Sequence, residues 1–261
     1  MVAIEDIDVY TSGMQKSMED KLWFADILKG KITSVYDYGC ADGTLLNLMR
    51  SLNPAIQLYG YDNLPEMVAR AKMSGLVNVS GVPMAKAKEK QLTVCSSVFH
   101  EIFSYGTYTS VKQDWMNIFG IGSDYIAIRD MFYSEFMPEF ADEKVVAAVR
   151  EKADPAQLFG FEHQYGSISK NVNLTHWFLK YRYKENWRRE LVEDYLPYSM
   201  EDFIRMLPDT YSVAGVAAYT LPFLRDRIKE DFCVDWNYVT HGKILLKRKD
   251  LTDEDFLPSR S

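Results

Sequence analysis

Apolar positions along this chain fall into short runs that alternate with longer segments of helical spacing. ITSVYDYG at 32–39 predicts a strand, TLLNLMRSL at 44–52 a helix, IQLYGYD at 56–62 a strand and PEMVARAKMSG at 65–75 a helix. A short strand is expected at 77–81, a strand running into a turn at 91–102, a helix at 111–120 and a strand at 124–131. Ahead of these, 16–30 places Met18, Leu22, Trp23, Ala25, Ile27 and Leu28 near one helical face and stops at Gly30. Strands and helices alternating in this way predict an α/β fold with a doubly wound, mostly parallel sheet.

The rhythm breaks between 132 and 199. Two helices are expected there, at 142–153 and 173–196, with FGFEHQYGS at 159–167 as a loop facing substrate and His163 as its candidate contact. The stretch is too long for an ordinary crossover and predicts an inserted helical cap over the ligand edge of the sheet. A strand at 211–220, a helix at 221–232 and a final, antiparallel strand at 241–249 complete the pattern. The expected organisation is a sheet domain from 1–131 and 200–249, a cap from 132–199 and a tail from 250–261.

Composition narrows the classes. The 261 residues are 47% hydrophobic and 26% charged, and no run approaches a membrane-spanning length. The N-terminus is acidic and lacks the basic start and apolar block of an export signal, so a cytoplasmic location is expected. A net charge of −7 and a pI near 5.2 exclude a globally basic nucleic-acid binder, though not a local basic face. Cys40, Cys95 and Cys233 are widely spaced and lie in no metal-binding pattern, so reduced thiols and no bound metal are expected.

The chemistry concentrates at VYDYGCADGT, 35–44, where a strand turns into a helix through glycines. Such a turn presents unpaired N–H groups and lets a ligand approach the backbone closely. The dinucleotide fingerprint needs glycine where this chain has Ala41 and Thr44, and the phosphate-loop Gly-Lys pair is missing. What the turn does resemble is the first motif of class I S-adenosylmethionine-dependent methyltransferases: an apolar strand, Asp37, then Gly39-x-Ala41-x-Gly43 before a helix. Asp62 closes the next strand nineteen residues beyond Gly43, where the family carries an acid for the ribose hydroxyls. VCSSVFHEI, leaving the fourth strand, is similar to the small-residue, apolar and histidine turn of many members.

The resemblance covers 32–131 and the final strands. It implies a seven-stranded sheet of the class I type, S-adenosylmethionine as cofactor, and a cofactor site drawn from Asp37, Gly39, Cys40, Gly43, Asp62, Asn63, Ser97 and Val98. The chain departs from the family at Val82, Pro83 and Met84, where many relatives carry an adenine-binding acid. It also lacks the Asn/Asp-Pro-Pro-Tyr signature of amino-group methylation and the Pro-Cys pair of cytosine methylation.

His100 and Glu101 leave the fourth strand at its carboxyl end, and Arg129 and Asp130 end the fifth, the ligand side of an open α/β sheet. These four are the candidate catalytic groups, with His100 able to take a proton from a hydroxyl and Glu101 to orient it. From Thr175 to Arg189, Lys180, Arg182, Lys184, Arg188 and Arg189 are interleaved with aromatic residues including Tyr183. That mixture suits RNA or a nucleotide-containing acceptor, with Lys180, Arg182 and Tyr183 as contacts, and equally suits an amphipathic cap helix. A small-molecule O- or N-methyltransferase and a non-catalytic binding protein that keeps the cofactor fold are the alternatives. The sequence carries no signal for oligomeric state.

Overall fold

The computed structural model describes residues 18–251. The strands expected from the sequence form as β1 (Ser34–Tyr38), β2 (Gln57–Tyr61), β3 (Val79–Ser80), β4 (Gln91–Ser96), β5 (Tyr125–Met131), β6 (Tyr211–Tyr219) and β7 (His241–Arg248). They make one seven-stranded sheet in the order β3-β2-β1-β4-β5-β7-β6. The pairings among β1 to β5 are parallel, and β7 runs antiparallel to both β5 and β6. The mixed sheet is therefore parallel through its first five strands and ends in an antiparallel pair.

Helices cover both faces. On one, α1 (Met18–Lys21), α2 (Thr44–Leu52) and α3 (Pro65–Met73) pack with Val35, Leu92, Val94 and Ala127. On the other, α4 (Phe99–Tyr105), α5 (Tyr108–Phe119) and, further along the chain, α10 (Met200–Met206) pack over Tyr36, Tyr38, Ile126 and Ile128. Successive strand residues face opposite sides, so Asp37 shares the face of Val35. The sequence pattern treated 91–102 as a strand and its turn, and did not identify α4 or α10.

Three other expectations change. The helix expected at 16–30 is α1 alone among the described residues, followed by turns that bury Phe24 and Leu28 and leave Ile27 exposed. The loop expected at 159–167 belongs to α7 (Pro155–Tyr165), whose start is fixed by Asp154: its carboxylate accepts from the N–H groups of Ala156 and Gln157. The long helix expected at 173–196 is broken into α8 (Asn171–Lys180), a 3-10 turn at Lys184–Asn186 and α9 (Trp187–Val192). With α6 (Glu143–Lys152) these pieces form a hydrophobic cluster of their own around Phe161, Trp177 and Phe178. That cluster includes Leu224, Ile228, Phe232 and Trp236, so α11 (Pro222–Phe232) packs into it as well. The tail expected at 250–261 lies almost wholly outside the described residues.

The turn after β1 depends on Gly43, which has φ +78 and would bring a Cβ within 2.2 Å of Leu76 Cδ1 and 3.2 Å of Ala71 Cβ. Gly43→Ala is expected to cost about 2–4 kcal/mol, combining left-handed backbone strain with overpacking. Denaturant unfolding measures it, and a loss below the lower figure would show that Leu76 moves aside.

Candidate functional site

A cavity of about 450 Å³ opens where β1, β2 and β4 end. Here the chain order reverses between β1 and its neighbour β4, the usual ligand position in an open α/β sheet. Gly39 has φ +83, and a Cβ there would stand 2.8 Å from Val98 Cγ2, so the turn approaches the exit of β4 as closely as glycine allows. Ala41 (φ 46) and Ser97 (φ 58) are also left-handed, without being glycine. Both line the cavity.

Each oxygen of Asp62 accepts one backbone N–H, Oδ2 from Ala41 and Oδ1 from Leu64, both at 2.9 Å. Lone pairs remain on both oxygens for further donors. Asp37, Gly39, Cys40, Asp62, Asn63, Ser97 and Val98 all line the cavity; Gly43 shapes the turn from behind. Cys40 is buried, and burial pushes its thiol pKa well up, which removes it from nucleophilic chemistry.

One residue that the sequence did not single out completes this end. Lys21 is buried and lines the cavity, and among the described residues its ammonium makes no hydrogen bond or ion pair. Its neighbour Asp20 is pinned to the sheet by Arg129 Nε (2.7 Å), Tyr219 Oη (2.6 Å) and Lys243 Nζ (2.5 Å). Burial opposes ionisation of Asp20, but Lys243, Tyr219 and Arg129 together hold its pKa at about 2. Burial, then the Arg129 charge, lowers Lys21 to about 8 against the pull of Asp37, Asp42 and Asp130. Asp37 is raised to about 7 by burial, which Lys21 opposes and Asp62 reinforces. A cation and an anion thus face one end of the cavity, each desolvated.

The four candidate catalytic residues are brought together but are spoken for by other groups. Asp130 accepts from the backbone N–H of Val98 (3.1 Å), Phe99 (2.7 Å) and Met131 (2.8 Å), and Oδ1 meets His100 Nδ1 at 2.6 Å. His100 Nε2 meets Glu193 Oε1 at 3.0 Å. Burial alone would keep this imidazole neutral; Asp130 and Glu193 outweigh it and push the pKa up to about 10. Both ring nitrogens of His100, the expected proton acceptor, are thus engaged by carboxylates, and the imidazole bridges Asp130 and Glu193. Asp130 likewise serves as the start of α4, and Arg129 as the anchor of Asp20 and Ser97 Oγ (2.9 Å).

Arg189 closes the network, 2.8 Å from Glu101 Oε1 and 3.1 Å from Glu193 Oε2. His100, Glu101 and Glu193 bring potential metal-ligand atoms within 4.8 Å of one another. Because a guanidinium already supplies positive charge to both carboxylates, we assign the trio to ion pairing.

The expected acceptor contacts separate. His163 lies on the exposed side of α7, stacked near Phe159, away from the cavity. Lys180 is fully buried: its ammonium donates to the carbonyl oxygens of Glu190 and Glu193 and sits 4.6 and 4.7 Å from the Tyr165 and Tyr195 ring centres. It cannot reach a phosphate. Arg182 and Tyr183 do line the cavity, with Arg182 Nε donating to Asp231 Oδ2 at 2.6 Å. The segment also buries Trp177 and Arg189, which leaves Lys184 and Arg188 as its exposed basic residues. Tyr105, Glu190, Glu193 and Tyr195, all cavity-lining, were not identified from sequence; their spacing carries no motif.

No family model and no curated protein matches the sequence. Among solved structures the fold is similar to the methyltransferase domain of bacterial CtHen1-C, at 12% identity over 89% of this chain and 98% of that one, TM-score 0.48. It is also similar to the plantazolicin methyltransferase BpumL in complex with SAH, at 12% identity over 94% and 91% of the two chains, TM-score 0.48. PKMT2 from Rickettsia typhi is 12% identical over 85% of this chain and 50% of its own, TM-score 0.47. These are distant likenesses, and residue roles rest on the geometry of this chain.

Since the folded-state pKa of His100 is raised above its ordinary 6.5, its ion pairs contribute fully below that value and are lost as pH climbs through about 10. Thermal midpoints of wild type and His100→Gln are expected to converge between neutral pH and pH 10. A gap that stays constant over that range would show that His100 is not charged in the folded protein.

Proposed function

We propose that this chain is an S-adenosylmethionine-dependent methyltransferase acting on a compact acceptor. The observation that carries the reading is the cavity end built from the glycine turn, the Asp62 carboxylate, Lys21 and Asp37. A methionine-nucleoside fits these residues group by group. Lys21 suits its carboxylate, Asp37 its ammonium, Asp62 its ribose hydroxyls, and the close backbone at Gly39 its linking chain. When bound, that cofactor supplies a methyl group on a positively charged sulfur. The residues of the chain then hold the acceptor in line with it and exclude water, with the walls formed by Phe178, Leu179 and Phe223.

The segment 132–199 is read as the acceptor cap, because Tyr183, Glu190 and Tyr195 reach the cavity from it. A compact acceptor is favoured over RNA because the basic and aromatic residues that suggested nucleic acid are largely buried or ion-paired. A cytoplasmic setting goes with this reading: the three cysteines are free, and no helix among the described residues is long and apolar enough to cross a membrane.

Calorimetric titration with S-adenosylhomocysteine tests the proposal. Saturable binding is expected, weakened about tenfold or more by Asp62→Ala and by Lys21→Met, the loss of one charged hydrogen bond. Methylthioadenosine, which has no amino-acid end, should bind wild type and Lys21→Met alike. Failure of wild type to bind S-adenosylhomocysteine would sink the methyltransferase reading.

A further inference from the structure

Three glutamates in different situations line the cavity. Glu101 is bonded to Arg189, and Glu193 to His100, Arg189 and the Tyr105 hydroxyl. Glu190, on α9, is buried and lines the same space, yet it is held through one oxygen only: Oε2 accepts from the Tyr195 hydroxyl at 2.5 Å. Among the described residues no hydrogen bond forms to Oε1. One oxygen of this carboxylate is therefore held and the other carries no hydrogen bond, on a residue that lines a chamber whose other walls include Tyr183 and Tyr195.

Resting on the methyltransferase reading, we propose that Glu190 is the catalytic base, accepting through Oε1 the proton of a compact acceptor that carries an O–H or N–H group. The acceptor's lone pair takes the methyl group, and the electron pair of the broken carbon–sulfur bond stays on sulfur. The proton that the acceptor sheds passes to Glu190 Oε1 and then to solvent. Tyr195 is a positioning residue: its hydroxyl orients the carboxylate and leaves Oε1 free. This assigns to Glu190 the role that the sequence pattern suggested for His100.

The electrostatic surroundings agree with the geometry. Burial, with the neighbouring Glu193 charge, pushes the Glu190 pKa up to about 7 against the pull of Tyr195, Lys180 and Arg189. Lys180 reaches it from α8, Arg189 and Glu193 from its own helix and that helix's exit, and the Tyr165 and Tyr183 rings lie close enough to feel its charge. A base poised near neutrality is ionised often enough to act and basic enough to hold the proton.

Two measurements on the full chain test the assignment, with thermal melts confirming that the variants fold. In the first, carbon-13 NMR follows the glutamate side-chain carboxyls with pH. One is expected to titrate near neutrality, to vanish in Glu190→Gln and to move to higher pH in Tyr195→Phe, where the hydroxyl no longer stabilises the anion. In the second, label from methyl-labelled S-adenosylmethionine is followed into a low-molecular-weight metabolite extract and into total RNA. Transfer into the extract is expected to rise through the same midpoint, with Glu190→Gln about a hundredfold slower and without that rise.

The assignment is overturned if every glutamate titrates in the ordinary acidic range, if Glu190→Gln keeps the wild-type rate and pH profile, or if label enters RNA alone. Absence of S-adenosylhomocysteine binding would instead remove the cofactor reading. The NMR titration does not depend on it, so the two failures are distinguishable.

Discussion

A buried carboxylate at the end of β5 holds the sheet to everything that surrounds its ligand edge. Asp130 collects the N–H groups that start α4 and the ring of His100, and His100 passes the connection to Glu193, which follows α9. Arg189 returns it to Glu101 on α4. Burying this many charges is costly, and the arrangement persists because each is matched by an opposite charge or an aligned donor. Removing one member would strand the others without water. The network therefore joins two hydrophobic clusters, one on the sheet and one shared by the segment 132–199 and α11.

The same joint divides the labour of the cavity. On the β1–β2 side, backbone turns, Lys21 and Asp37 form an end that carries groups of both signs. From the segment 132–199, aromatic hydroxyls and Glu190 reach the cavity, whose lining also includes Arg182 and Arg227. Asp20 has a counterpart role to Asp130: held by Arg129, Tyr219 and Lys243, it sets α1 over the strand ends and so places Lys21. The buried Asp130 and the half-buried Asp20 thus position the cationic groups on either side, and both are held by several donors.

Much of the fold was legible because hydrophobic periodicity is a local property. The strands at 34–38, 57–61, 91–96 and 125–131 and the helix at 44–52 follow directly from apolar spacing and turn residues. Part of the α7 helix was read as a loop although Asp154-Pro155 and Gly166, at φ 92, mark its ends, because aromatic and polar residues without a clear stripe obscured it. The stretch from Thr175 to Arg189 shows the opposite case. Its mixture of basic and aromatic residues fits a nucleic-acid surface and a buried ion-paired core equally well, and only packing distinguishes them.

What the sequence alone determined is the sheet, its order of motifs and the glycine turn, with Asp62 placed at the end of the next strand. Those features depend on neighbours in the chain, on backbone conformations that glycine permits and on the two-residue and 3.6-residue periods of strand and helix. The tertiary structure alone decided which charged residues are free. His100, Asp130 and Lys180 are consumed by partners distant in sequence, whereas Lys21 and Glu190, unremarkable in their local context, are brought to the cavity with a charge or an oxygen to spare. The reason is physical: the chemistry of an ionisable group is set by desolvation and by the charges around it in space, and sequence spacing does not encode either one.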